Sequence, residues 1–108
     1  GVKVMLAGSW DEALALIEQT SPQILLMDYQ LSHDETQNGL ALIDKIRFQL
    51  DAILPAALIT ATPDEDLVAK CKEQGVNYLS KPLKPAKLRA LLQSMTRHIH
   101  ESHYSDSD

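Results

Sequence analysis

Cysteine is nearly absent from this chain. Cys71 is the only one in 108 residues, so no disulfide can close within the sequence and thiolates alone cannot build a metal cluster. Long hydrophobic runs are missing too: no stretch approaches the ~18 consecutive apolar residues of a membrane span, and no signal-peptide pattern opens the sequence. Glycine is sparse, with Gly8, Gly39 and Gly75 each standing singly, which excludes a Gly-rich phosphate loop. A surplus of positive charge is lacking as well. The formal net charge of −5 argues against a broad electrostatic footprint for nucleic acid or an anionic membrane. There are no repeats and no internal linker. Against these absences stands a hydrophobic content of 44%, enough for the core of one domain. The expectation is a single cytoplasmic domain with no nucleic-acid partner and no membrane contact.

Apolar runs alternate with amphipathic stretches along the whole chain. Residues 2–7 are β-rich and Gly8 ends them. Ser9 then stands as an N-cap with Glu12 three residues on, the spacing of a capping box. Ala13, Leu14, Leu16 and Ile17 form a helical stripe, and Ser21-Pro22 stops it. Trp10, one residue past the cap, reads as a surface or interface aromatic. Residues 24–27 form a short apolar run suited to a strand buried on both faces. A polar loop over residues 32–39 leads to a second helix over 40–49 and a third strand over 56–60. Thr62-Pro63-Asp64-Glu65 reads as another capping box, with Thr62 as N-cap and Pro63 at the first helical position. That helix spans 63–74 and closes at Gly75. A fourth strand over 76–80 precedes a long helix from Pro85, whose Leu88, Leu91, Leu92, Met95 and Ile99 share a face. Residues 101–108 are polar and are expected to form a frayed, disordered tail. The alternation predicts an α/β fold, a parallel sheet with helices on both faces.

In such a sheet the carboxyl ends of the strands share one edge, where open α/β folds bind ligands. Asp28, Thr60 and Lys81 each follow an apolar run and each belongs to a different strand. A carboxylate there can be a nucleophile toward a phosphoryl group. A hydroxyl and an ammonium beside it can hold phosphoryl oxygens, and a divalent cation would offset the remaining charge.

Asp28 in LLMDYQL, Thr60 in LITAT and Lys81 in YLSKPL resemble the receiver domains of two-component response regulators, with a likeness running from Val2 to about Arg97. The resemblance implies a flavodoxin-like fold, with the domain occupying residues 1–100 and strands ordered 2-1-3-4-5. It makes Asp28 the phosphoacceptor, Thr60 the switch hydroxyl, Lys81 the ion-pair partner of Asp28, and Lys81-Pro82 a cis peptide. It places Tyr78 at the aromatic switch position and gives the Gln30 carbonyl, with Asp28, to a magnesium ion. Ala61, Thr62 and Pro82 flank the site. The implied partner is a histidine kinase or a histidine phosphotransfer domain, and the implied role is regulatory rather than that of a turnover enzyme. Dimers are expected through the last strand and helices or by strand exchange.

Two departures from the family pattern bear on this. The loop after Leu31 is long, as in receivers attached to hybrid histidine kinases. The sequence also opens at what would be the second strand, so the acidic pair that holds magnesium in the family has no counterpart ahead of Gly1. Asp34-Glu35 offers no more than a solvated loop pair. The expectation is therefore an N-terminally incomplete sheet, with a gap between residues 2–7 and 24–27 that another strand must fill. A chain lacking that acidic pair is expected to gain little phosphoryl label at Asp28. The rival reading is a pseudo-receiver, a protein-interaction module of the same fold that is not phosphorylated. His98, His100 and His103 do not share one helical face and offer no metal set.

Overall fold

The computed structural model describes residues 3–30 and 35–106. Four parallel strands form one sheet: β1 (Val4–Ala7), β2 (Ile24–Asp28), β3 (Ala56–Thr60) and β4 (Asn77–Ser80). Helix α1 (Trp10–Gln19) connects the first two strands, α2 (Gly39–Leu50) the next two and α3 (Glu65–Gln74) the last two, and α4 (Pro85–Asp106) follows β4. A short 3₁₀ turn over Glu35–Gln37 lies ahead of α2. Residues 31–34, the first part of the long polar loop, lie outside the described residues, and so does the Asp34 half of the acidic loop pair.

The sheet order is β1-β2-β3-β4, the order of the chain. This corrects one expectation. The gap foreseen between the first two segments is absent, because β1 pairs directly with β2, Val4 opposite Ile24 and Ala7 opposite Met27. Buried backbone donors and acceptors demand partners, and here the two strands supply them to each other.

Chain order also fixes where the helices lie. Parallel strands joined in sequence by right-handed crossovers place every connecting helix on the same face. Ala13 and Ile17 of α1, Leu42, Ile43 and Ile46 of α2, and Leu67 and Cys71 of α3 accordingly form one core with Met5, Ala7, Leu25, Met27, Ala56 and Leu58. The alternate strand residues Ile24, Leu26, Ala57 and Ile59 point the other way and meet Met95 of α4, with Leu88, Leu91, Leu92 and Ile99 packed around them. One helix does not cover four strands. At the margin of this second face Val4 and Leu6 of β1 are 43% and 63% exposed.

Local sequence explains the helix ends. Ser9 Oγ accepts from the Glu12 amide at 3.1 Å, as its capping box predicts. Asn38 caps α2 by accepting from the Ala41 amide at 2.8 Å. The third helix corrects a second expectation: its N-cap is Asp64, whose Oδ1 accepts from the Leu67 amide at 2.7 Å, and not Thr62. A charged acceptor makes the stronger bond to an amide, so the helix starts after Asp64 and Pro63 stays outside it. Gly75 closes α3 at φ 65°, while Asp51 closes α2 at φ 51° without being a glycine. Helix α4 continues through residues 101–106, where sequence polarity suggests a frayed tail.

Arg47 and Trp10 tie neighbouring elements together through side-chain bonds. Arg47 reaches out from α2 and donates to the carbonyls of Leu54, Gln74 and Gly75, which clasps the entry to β3 against the end of α3. Burial pulls its guanidinium pKa below the usual value, and Asp44 partly restores it. Trp10, read from the sequence as a surface or interface aromatic, is half-buried against the first core. Its indole N–H donates to the Asn38 carbonyl at 3.2 Å, and the Lys45 ammonium lies 5.6 Å over its ring.

Candidate functional site

Three strands end together. Asp28 is the last residue of β2 and pairs in register with Ile59, next to Thr60 at the end of β3. Thr60 in turn pairs with Ser80, the last residue of β4, which delivers Lys81 just past the sheet edge. The backbone tightens this arrangement. The Lys81 amide donates to the Thr60 carbonyl and the Tyr29 amide to the Ile59 carbonyl, both at 2.8 Å.

The side chains converge as well. Lys81 Nζ lies 2.6 Å from Asp28 Oδ2, and Asp28 Oδ1 accepts from the Gln30 amide at 3.0 Å. The carboxylate is thereby held from both sides yet remains a third exposed, so an incoming group can reach it. Thr60 is almost fully buried at 4% exposure, and its hydroxyl accepts from the Thr62 amide at 3.3 Å. The Lys81-Pro82 bond is cis, as the family resemblance implies. Ala61, Thr62 and Pro82 are exposed around the site. Tyr78 lies on β4 three residues before Lys81, paired with Leu58. It is 42% exposed and lines an open hollow of about 520 Å³ beside Val68, Cys71 and Lys72 of α3.

One residue escapes a reading of the sequence alone. Gly39, the first residue of α2, packs against the main chain of Asp28: a Cβ built on it would lie 2.2 Å from the Asp28 carbonyl oxygen. Its amide donates to the Tyr29 carbonyl at 2.9 Å. The only hint is a lone glycine where a helix begins, a place more often filled for other reasons.

Magnesium fits poorly on these residues. Asp28 already accepts from Lys81 on one oxygen and from Gln30 on the other. Among the described residues no group of three or more His, Cys, Asp or Glu side chains could hold a metal ion. A hard dication such as magnesium needs near-octahedral oxygen donors, and Asp28 with the Gln30 carbonyl falls well short of that. No helix among the described residues is long and apolar enough to cross a membrane.

The family model described as response regulator receiver domain matches residues 1–93. The chain belongs to that family. An uncharacterised 14.6 kDa protein of Leptolyngbya boryana is 33% identical to this receiver over 95 residues, which cover 86% of this chain and 70% of that one. The receiver domain of NtrX from Brucella abortus is 26% identical, with a TM-score of 0.72 and coverage of 88% and 78%. The N-terminal domain of an uncharacterised Wolinella succinogenes protein has a TM-score of 0.77 and coverage of 95% and 99%. At 21% identity it speaks for the flavodoxin-like receiver fold alone.

Proposed function

We propose that this receiver is the phosphoacceptor of a two-component relay, with Asp28 taking a phosphoryl group from a phosphohistidine of a kinase or phosphotransfer domain. The observation that supports it best is the Lys81 ammonium 2.6 Å from Asp28 Oδ2 at an accessible strand end. An Asp28 carboxylate oxygen attacks phosphorus as the P–N bond breaks. The bonding electron pair stays on the imidazole nitrogen, and the aspartate becomes an acyl phosphate. Lys81 stands where the phosphoryl oxygens concentrate negative charge, so its contribution is electrostatic and already in place. The Thr60 hydroxyl then turns from the Thr62 amide toward the phosphoryl group, and the region of Tyr78 repacks, shifting a two-state equilibrium. The domain works in the cytoplasm as a regulatory acceptor, and its long loop fits the end of a hybrid histidine kinase.

The protein as encoded, given acetyl phosphate and magnesium, should gain the mass of one phosphoryl group, and Asp28→Asn none. The described residues' lack of a metal set favours the second reading, a pseudo-receiver. A wild-type protein that stays unlabelled while still binding a partner through this fold would establish it.

A further inference from the structure

Phosphoryl transfer depends on where the Asp28 carboxylate stands, and its contacts to Lys81 and Gln30 do not fix the main chain that carries it. That task falls to neighbours of the Asp28–Tyr29 peptide. On one side the Tyr29 amide bonds the Ile59 carbonyl. On the other, α2 begins directly against the peptide, with the Gly39 amide bonding the Tyr29 carbonyl at 2.9 Å. The approach is so close that a Cβ at residue 39 would lie 2.2 Å from the Asp28 carbonyl oxygen, 2.9 Å from its carbon and 2.9 Å from Leu58 Cδ1. Backbone cannot move aside as a flexible side-chain tip can, so the peptide itself would have to rotate. The Gln30 amide, two residues on, would turn with it, and that amide holds Asp28 Oδ1.

We infer that Gly39 is a positioning residue for phosphoryl transfer: by lacking a side chain it seats the head of α2 on the Asp28–Tyr29 peptide and so aims the Asp28 carboxylate. The inference rests on the reading of Asp28 as phosphoacceptor. Gly39 touches neither donor nor phosphoryl group and acts through Asp28. A displacement of about 1 Å at a reacting atom can lower a rate by about 100-fold.

The test compares Gly39→Ala with Gly75→Ala in the protein as encoded. The second variant is strained by its φ of 65° but has nothing within 4 Å of the added Cβ, so it lowers stability far from Asp28. With acetyl phosphate as donor, the rate of mass gain is measured per folded molecule. Gly39→Ala should be slower by about 10- to 100-fold at saturating donor, with the half-saturating donor concentration held, while Gly75→Ala matches wild type. Equal rates in all three proteins, or equal slowing in both variants, would overturn the inference. If Gly39→Ala does not fold, the Gly39 amide resonance of the wild type decides. It must shift when Asp28 is phosphorylated, and an unmoved resonance overturns the inference. A wild type that takes no label removes the phosphoacceptor reading itself, a result distinct from these.

Discussion

The Lys81 amide donates to the Thr60 carbonyl at 2.8 Å, so the residues that bear the hydroxyl and the ammonium are joined by their backbones just beyond the sheet. Lys81→Gln should leave that bond intact and remove only the charge. The Lys81–Asp28 pair is 43% and 33% exposed, and an ion pair so open to water contributes less than about 1 kcal/mol to stability. Urea unfolding should barely change. The rate of phosphoryl gain at Asp28, followed by intact mass, should fall by about 100-fold.

Arg47→Ala should do the reverse. It deletes every bond from the guanidinium to the carbonyls of Leu54, Gln74 and Gly75. Bonds from a charged donor contribute about 1.5–3 kcal/mol each, with solvent reducing the sum where carbonyls are reachable. A loss of about 2–4 kcal/mol is expected in urea unfolding. Arg47→Lys should recover little of it, since one ammonium cannot span the same three carbonyls.

The two left-handed helix ends should answer with opposite signs. Asp51 caps α2 at φ 51° and Gly75 caps α3 at φ 65°. A side chain in that conformation costs roughly 1–2 kcal/mol, less for aspartate than for most residues. Asp51→Gly should therefore raise the thermal midpoint slightly and Gly75→Ala lower it by several degrees. Differential scanning calorimetry reads both.

Cys71 predicts a pH dependence. Burial pushes its thiol pKa above the ordinary value, so the unfolded chain releases this proton at a lower pH than the folded one. The stabilisation is complete below the ordinary thiol range, about pH 8.5, and is lost as pH rises through the folded-state value. Unfolding free energy measured from pH 7 to 10 should fall, and Cys71→Ala should flatten the thiol's share of that slope. An unchanged slope in the variant would show that other groups cause it.

Much of this molecule is legible along the chain because its elements are locally consistent. The short run at residues 24–27, bounded by Ser21-Pro22 and a polar loop, suits a buried strand, and Ser9 with Glu12 marks a helix start. The meeting of Asp28 with Lys81 follows from three parallel strands ending at one edge. What is not legible depends on distant partners. Nothing near Val4 or Ile24 states that they pair, since strand order is settled by which edges are free when the sheet closes. Thr62 and Asp64 are both good caps by type, and the stronger bond of a charged acceptor to the Leu67 amide decides for Asp64. Nothing near Arg47 in the sequence announces that the carbonyls of Leu54, Gln74 and Gly75 arrive beside it. Gly39 reads as a neutral loop residue until the Asp28 main chain presses on it.

The indole of Trp10 bonds the carbonyl of Asn38, one residue from the glycine seated on Asp28, and Trp10 is the only tryptophan in the chain. The protein thus carries its own optical gauge. An indole half-shielded from water, with an ammonium over its ring, changes emission wavelength and yield when either neighbour moves. Asn38 caps α2 and Lys45 lies within it, so a movement of the head of this helix would alter the indole's contacts to both. A change at Asp28 that moves this helix would then be read by intrinsic fluorescence, without a dye and without altering a residue.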